Sequence, residues 1–160
     1  MPQPEKPLHL PPKPSAHAQL SFQWEAFTSC AKEMWPLILK EWEASGEQGD
    51  CDPDWDQYFR LEMAGNLSVL TIRAEGKIIG YAIVIVTPWA HQKNTKIALI
   101  DTYYILDDFR AFSLFKHLFD KIENELKEAG VRFILLFGDE LYYPMFKRRK
   151  YSHAGYKKDL

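Results

Sequence analysis

Ile97-Ala98-Leu99-Ile100-Asp101-Thr102-Tyr103-Tyr104-Ile105-Leu106-Asp107-Asp108-Phe109-Arg110 is the stretch on which the fold turns. Ile97–Leu106 is apolar, aromatic and β-branched, which predicts a strand. Asp101 interrupts it with a carboxylate that needs either a partner or a use. Asp107 or Asp108 is placed to cap the helix that follows, about Phe109–Ala129. In that helix Phe112, Phe115, Leu118, Phe119, Ile122 and Leu126 form one stripe at the 3.6-residue period. Gly130 suits the left-handed position that ends a helix, and Val131–Phe137 reads as a buried strand.

Upstream of this unit the chain reads as more strand. Leu67–Arg73 alternates loosely, Glu75-Gly76 makes a tight turn, and Lys77–Val86 is apolar enough to be covered on both faces. Thr87–Lys96 is a polar loop holding Pro88, Trp89 and His91, so three antiparallel strands form a meander. Earlier still, Phe27, Met34, Leu37, Ile38 and Trp42 recur at helical steps within Phe22–Glu43. They predict one or two helices, with Pro36 as a break or first-turn residue. Gly46–Pro53 reads as a loop, and Asp54–Ala64 as a short helix carrying Trp55, Tyr58, Phe59 and Met63 on one side. The order is α, α, β, β, β, α, β and a short αβ tail. That makes an α/β (α+β) mixed sheet with helices on both faces.

The chain has 160 residues, 46% hydrophobic and 14% aromatic, with a formal net charge of -2. This is material for one domain of ordinary size and excludes disorder for most of the chain. Six prolines, Pro2, Pro4, Pro7, Pro11, Pro12 and Pro14, mark residues 1–16 as an extended arm beside a single domain over 17–160. The arm reads either as a simple tail or as a dock for a protein partner. A near-neutral balance gives no drive toward nucleic acid or anionic membranes. Cys30 and Cys51 lack the spacing of a disulfide framework or a zinc site, so no metal is expected. No leader and no membrane span are expected, and the cytoplasm is the expected location.

Tyr103 through Arg110 resembles the end of the fourth strand of the GNAT (Gcn5-related N-acetyltransferase) superfamily. The spacing from Arg110 through Leu118, Phe119 and Glu123 to Gly130 is similar to that family's acyl-CoA helix. Trp35-Pro36-Leu37, Trp42-Glu43, Asp54, Tyr58, Gly80-Tyr81, Pro88 with His91, Asp101 and the ending Tyr156–Leu160 resemble a variety common in bacteriophage genomes. The resemblance covers about Met34–Leu160. It implies a GNAT-like fold in which the meander is followed by the acyl-CoA helix and a parallel strand. It also implies acetyl-CoA as cosubstrate and an amine as acceptor.

The same resemblance implies a diphosphate seated on a helix N-terminus, where N–H groups lack partners and the dipole is positive. The matching loop is Arg110-Ala111-Phe112-Ser113-Leu114-Phe115. It carries none of the family's glycines, so it reads as a degenerate version of the acyl-CoA loop. Phe112 and Phe115 either obstruct it or belong to the core stripe. Ile105 and Leu106 are expected to offer backbone groups to the pantetheine, in a slot between the third meander strand and Val131–Phe137.

Amine acetylation requires removing a proton from the amine and returning one to the thiolate. Asp101 is the candidate base, or else a structural acid at a bulge. His91 is a substrate contact or second base, or else merely solvated. Phe146 stands where the family has its thiolate-protonating tyrosine, so Tyr142 or Tyr143 is the expected substitute. Lys147-Arg148-Arg149-Lys150 would serve an acidic partner or the adenosine phosphates, or be a solvated face. Two functions follow. One is an acyl-CoA-dependent N-acetyltransferase of host cytoplasm, acting on a small molecule or protein. The other is a catalytically inactive binding protein of the same fold, virion-associated or aimed at a host protein.

Overall fold

Glu75 and Gly76 have φ of 51° and 81°. A two-residue turn with both φ positive matches the twist of paired strands, and it joins β2 (Leu67–Ala74) to β3 (Lys77–Pro88). A computed structural model describes residues 19–46, 48–136, 147 and 158–159. Among them β4 (Lys96–Ile105) completes the antiparallel meander. The helix α3 (Phe112–Glu128) then carries the chain to β5 (Val131–Leu136), which pairs parallel to β4. Lys158–Asp159 (β6) adds antiparallel to β5. The proline-rich arm expected over 1–16 lies outside the described residues.

Three sequence expectations are corrected. Leu20–Glu25 is a strand, β1, pairing antiparallel with β2 and completing a sheet ordered β1-β2-β3-β4-β5-β6. A helical reading of Phe22 onward counted residues that the sheet claims, because Phe22 and Trp24 also satisfy a strand's alternation. Pro36 neither breaks nor begins a helix: α1 runs unbroken through it from Phe27 to Ser45. Met34, Trp35, Leu37 and Ile38, buried on both sides of the proline, hold the two halves against the sheet. Asp107 and Asp108 do not cap α3. With Phe109 they form a short 3-10 turn, Arg110 is extended, and Ala111 stands at the cap position.

Strand pleating assigns the two faces. Leu70, Ala82 and Tyr103 are cross-strand neighbours and share a face. Tyr103 meets Phe119 of α3 edge-on, with ring centroids 5.3 Å apart, so α3 covers this face. Thr71, Tyr81 and Ile83 point the other way, where α1 packs on β2, β3 and β4. The helix α2 (Trp55–Met63) joins α1 on that side, with Phe27 of α1 stacked on Tyr58 of α2. Arg73 locks the α1 side to the edge of the sheet. It donates to Glu25 and Glu33 at 2.9 and 3.0 Å and to the Gly76 carbonyl at 2.6 Å. Cys30 and Cys51 are buried and free, and burial pushes the Cys30 thiol up to about 12.

Gly80 packs where side chains leave no room. A Cβ there would lie 3.0 Å from the Tyr104 carbonyl oxygen, 3.1 Å from Ile72 and 3.2 Å from Ile105. Gly80→Ala is therefore expected to destabilise the protein by about 1–3 kcal/mol, read from denaturant melts. Stability equal to the parent would show that β4 yields freely at this point.

Candidate functional site

Thr102 pairs with Ile83 and Ile100 with Val84, which leaves Asp101 as an extra residue in β4. Such a bulge re-aims a side chain without ending the strand. The Asp101 side chain reaches α2, where the Tyr58 hydroxyl donates a 2.6 Å hydrogen bond to Oδ2. Asp101 is exposed, and Tyr58 is the one described residue that bonds to it. No lysine or arginine among the described residues pairs with this carboxylate. The resulting dyad has one half-buried partner and one that faces solvent.

Local sequence explains how Tyr58 arrives there. Asp54 caps α2 by accepting from the Gln57 N–H at 2.9 Å, as a short acceptor at that position should. The Tyr58 ring stacks on Phe27 at 4.9 Å with planes 22° apart. Burial, then the hydrogen bond to Asp101 and its charge, push the phenol well above the ordinary tyrosine range. Tyr58 therefore stays protonated and donates. Met63, expected on the same side, is 86% exposed. At 100° per residue the stripe through Trp55 and Tyr58 continues to Glu62 instead. Glu62 accepts from the Thr28 N–H at 3.2 Å and ties α2 to the start of α1.

The hydroxyls of Tyr81 and Thr102 are buried without a hydrogen bond among the described residues. Burial raises the Tyr81 phenol. The nearby Thr102 hydroxyl offsets part of that rise, although the two do not meet bonding geometry.

The other half of the site lies at the end of β4. Among the described residues, pairing with β5 runs to Ile100–Leu136, where the described part of β5 ends, and β4 continues along β3 to Ile105. The Leu106 N–H donates to the Ile79 carbonyl at 2.9 Å. Antiparallel pairs alternate, so the backbone groups of Ile105 point away from β3, toward the side of β5. The Leu106 carbonyl accepts from the Phe109 N–H at 2.9 Å. Of the two residues expected to serve the pantetheine, Ile105 has its backbone groups turned away from β3 and Leu106 has its N–H bonded to it.

Arg110 folds back over this end. Nε donates to the Ile105 carbonyl at 2.9 Å, Nη1 pairs with Asp107 at 3.0 Å, and the guanidinium lies 5.0 Å from the Tyr104 ring centre. At the start of α3, Leu114 N–H and Phe115 N–H both donate to the Ala111 carbonyl. No described residue accepts from the Ser113 N–H. Ala111 provides no side-chain cap, and the first turn holds no acid to compete with an anion. Phe115 packs toward the sheet, 4.6 Å from Phe119 and 6.0 Å from Tyr103, and Leu114 is buried.

The structure brings Asp101 and Tyr58 together and places Ile105, Arg110 and Ser113 around the end of β4. It does not bring His91 to them. His91 is exposed on the β3–β4 hairpin beside Trp89, and Lys96–Asp101 spans about 16 Å of strand at 3.3 Å per residue. Tyr142, Tyr143 and Phe146 lie outside the described residues, as does the Phe112 side chain. Lys147 is exposed, and the rest of the basic run lies outside the described residues. The described residues hold no group of three or more His, Cys, Asp or Glu that could bind a metal ion. They include no helix long and apolar enough to cross a membrane. A groove of about 270 Å³ between β1 and α3, lined by Phe22, Trp24, Leu70, Lys121 and Asn124, holds none of the candidate residues. Sequence reasoning missed Tyr58 as a functional partner because its helical stripe marked it as core. The Asp54 cap could have placed the helix but not the hydroxyl.

The sequence profile of the acetyltransferase (GNAT) family matches residues 24–143. No curated protein matches the chain. Among solved structures, a predicted acetyltransferase with acetyl-CoA from Clostridium acetobutylicum superposes with a TM-score of 0.68 at 19% identity, covering 89% of this chain and 96% of that one. An aminoglycoside acetyltransferase from an uncultured soil metagenomic sample, in complex with trehalose, gives 0.64 at 19%, covering 84% and 89%. A ribosomal-protein-alanine N-acetyltransferase from Brucella melitensis biovar Abortus 2308 gives 0.62 at 19%, covering 89% and 95%. At these identities the likeness is one of fold.

Proposed function

The chain belongs to the acetyltransferase (GNAT) family, and from that premise we propose that it transfers an acetyl group from acetyl-CoA to the nitrogen of an amine. One observation carries the reading: β4 runs along β3 to Ile105, whose carbonyl Arg110 holds, beside the start of α3, where no side chain caps the helix. Residues at that end fit the cosubstrate. The Ile105 N–H points away from β3, and Phe115 is packed toward the sheet rather than across the helix terminus. The start of α3, with its helix dipole, and Arg110 supply positive potential for a diphosphate.

Acetyl-CoA supplies a thioester that makes the acetyl carbon reactive; the C–N bond forms as the C–S bond breaks. Asp101 takes the proton the amine must lose, through the oxygen that Tyr58 does not occupy. Tyr142 or Tyr143 returns a proton to the thiolate. His91 has no part in this reading. The acceptor is a small-molecule amine or a protein amine, and the structural neighbours include enzymes named for each kind.

The test is thiol release from acetyl-CoA with two acceptors, sisomicin and an alanine-terminated peptide. Acceptor-dependent release supports the proposal. Release with neither acceptor, together with an unmoved melting temperature at saturating acetyl-CoA, overturns it. Within this reading Arg110→Ala loses a charge-assisted contact and also frees the Ile105 carbonyl. It is expected to weaken CoA binding about ten- to a hundredfold by calorimetry. Unchanged affinity would confine Arg110 to the turn it already braces.

A further inference from the structure

An exposed carboxylate on a bulge has several rotamers of similar energy, and a base left free among them meets its proton only part of the time. Asp101 stands in that position, and a neighbour removes the freedom. The Tyr58 hydroxyl holds Oδ2 at 2.6 Å. Its ring is fixed by the Phe27 stack and by Trp55, whose ring centre is 6.5 Å away. The helix that carries it is tied to α1 through Glu62 and Thr28. Rigidity therefore passes from the α1–α2 layer to one oxygen of one carboxylate.

From this we infer that Tyr58 is a positioning residue for acetyl transfer, orienting Asp101 so that its other oxygen faces the acceptor amine. The inference rests on the reading of Asp101 as the base. The proton moves from the amine nitrogen to Oδ1 and from there to solvent, while Tyr58 keeps its own proton. Its raised phenol is consistent with that. The arrangement follows the general requirement that a reacting group be locked by supporting contacts. It also assigns α2 a part in the reaction beyond covering the sheet.

The experiment is a double-mutant cycle on acetyl transfer with Tyr58→Phe, Asp101→Asn and the pair combined. Phenylalanine keeps the ring on Phe27, so folding is preserved, and the melting temperature checks it. Tyr58→Phe is expected to lower kcat roughly tenfold with KM for acetyl-CoA unchanged. In the Asp101→Asn background the same change is expected to have no further effect, because the hydroxyl acts through the carboxylate. A purely structural tyrosine would lower activity equally in both backgrounds, and that result overturns the inference. So does full activity in Tyr58→Phe alone. Full activity in Asp101→Asn instead removes the base reading, and the inference falls with it.

Discussion

Asp101→Asn is expected to lower kcat by about 100-fold or more while the melting temperature moves by no more than a few degrees. The size follows from the role: a general base contributes about 10²–10⁴-fold, and an amide cannot accept the proton. The small stability change follows from the surroundings. Asp101 is exposed, its bond comes from a neutral phenol, and an asparagine carbonyl can accept the same bond. Thiol-release kinetics and a thermal melt of the same sample separate the two effects. A large fall in melting temperature with kcat preserved would make Asp101 a structural acid.

Phe119→Ala carries the largest expected effect on stability, a loss of about 3–5 kcal/mol. Phe119 is fully buried, 4.6 Å from Phe115 and 5.3 Å from Tyr103, and so joins α3 to β4. Truncation removes both contacts and leaves a cavity under the first half of the helix. A fall of roughly 10–15 °C in melting temperature is expected for a chain of this size. Because the same rings hold the start of α3 beside Ile105, the surviving protein is expected to bind acetyl-CoA more weakly even well below its melt. Stability within 1 kcal/mol of the parent would mean that Leu118 and Ile122 alone dock the helix.

Most of the meander and α3 were legible because their patterns have one solution. Phe115, Leu118, Phe119, Ile122 and Leu126 fit no period but the helical one, and Glu75-Gly76 admits little but a turn. The failures are places where two patterns overlap or tertiary packing overrides a local rule. Phe22 and Trp24 fit a strand as well as a helix. Pro36 sits inside α1 because burial on either side outweighs one missing hydrogen bond. The acids at Asp107 and Asp108 look like caps but close a separate turn, with Arg110 drawn onto the Ile105 carbonyl. For the site, Asp101 stood out as a charge in an apolar strand. Tyr58 did not, because a tyrosine on a helical stripe looks the same whether its hydroxyl is idle or bonded to a residue far along the chain.

The bulge in β4 separates what the sheet needs from what the site needs. On either side of Asp101, Ile100 and Thr102 pair with Val84 and Ile83, which are themselves consecutive on β3. Remove the intervening residue, and Ile100 and Thr102 become ordinary neighbours pointing to opposite faces, as they already do. Asp101 is thus a supernumerary residue, tolerated by the strand's reading frame and not required by it. The candidate base occupies the position in β4 that could be lost altogether with Ile100 and Thr102 still on their own faces. Selection can therefore revise the chemistry there without first having to rebuild the fold.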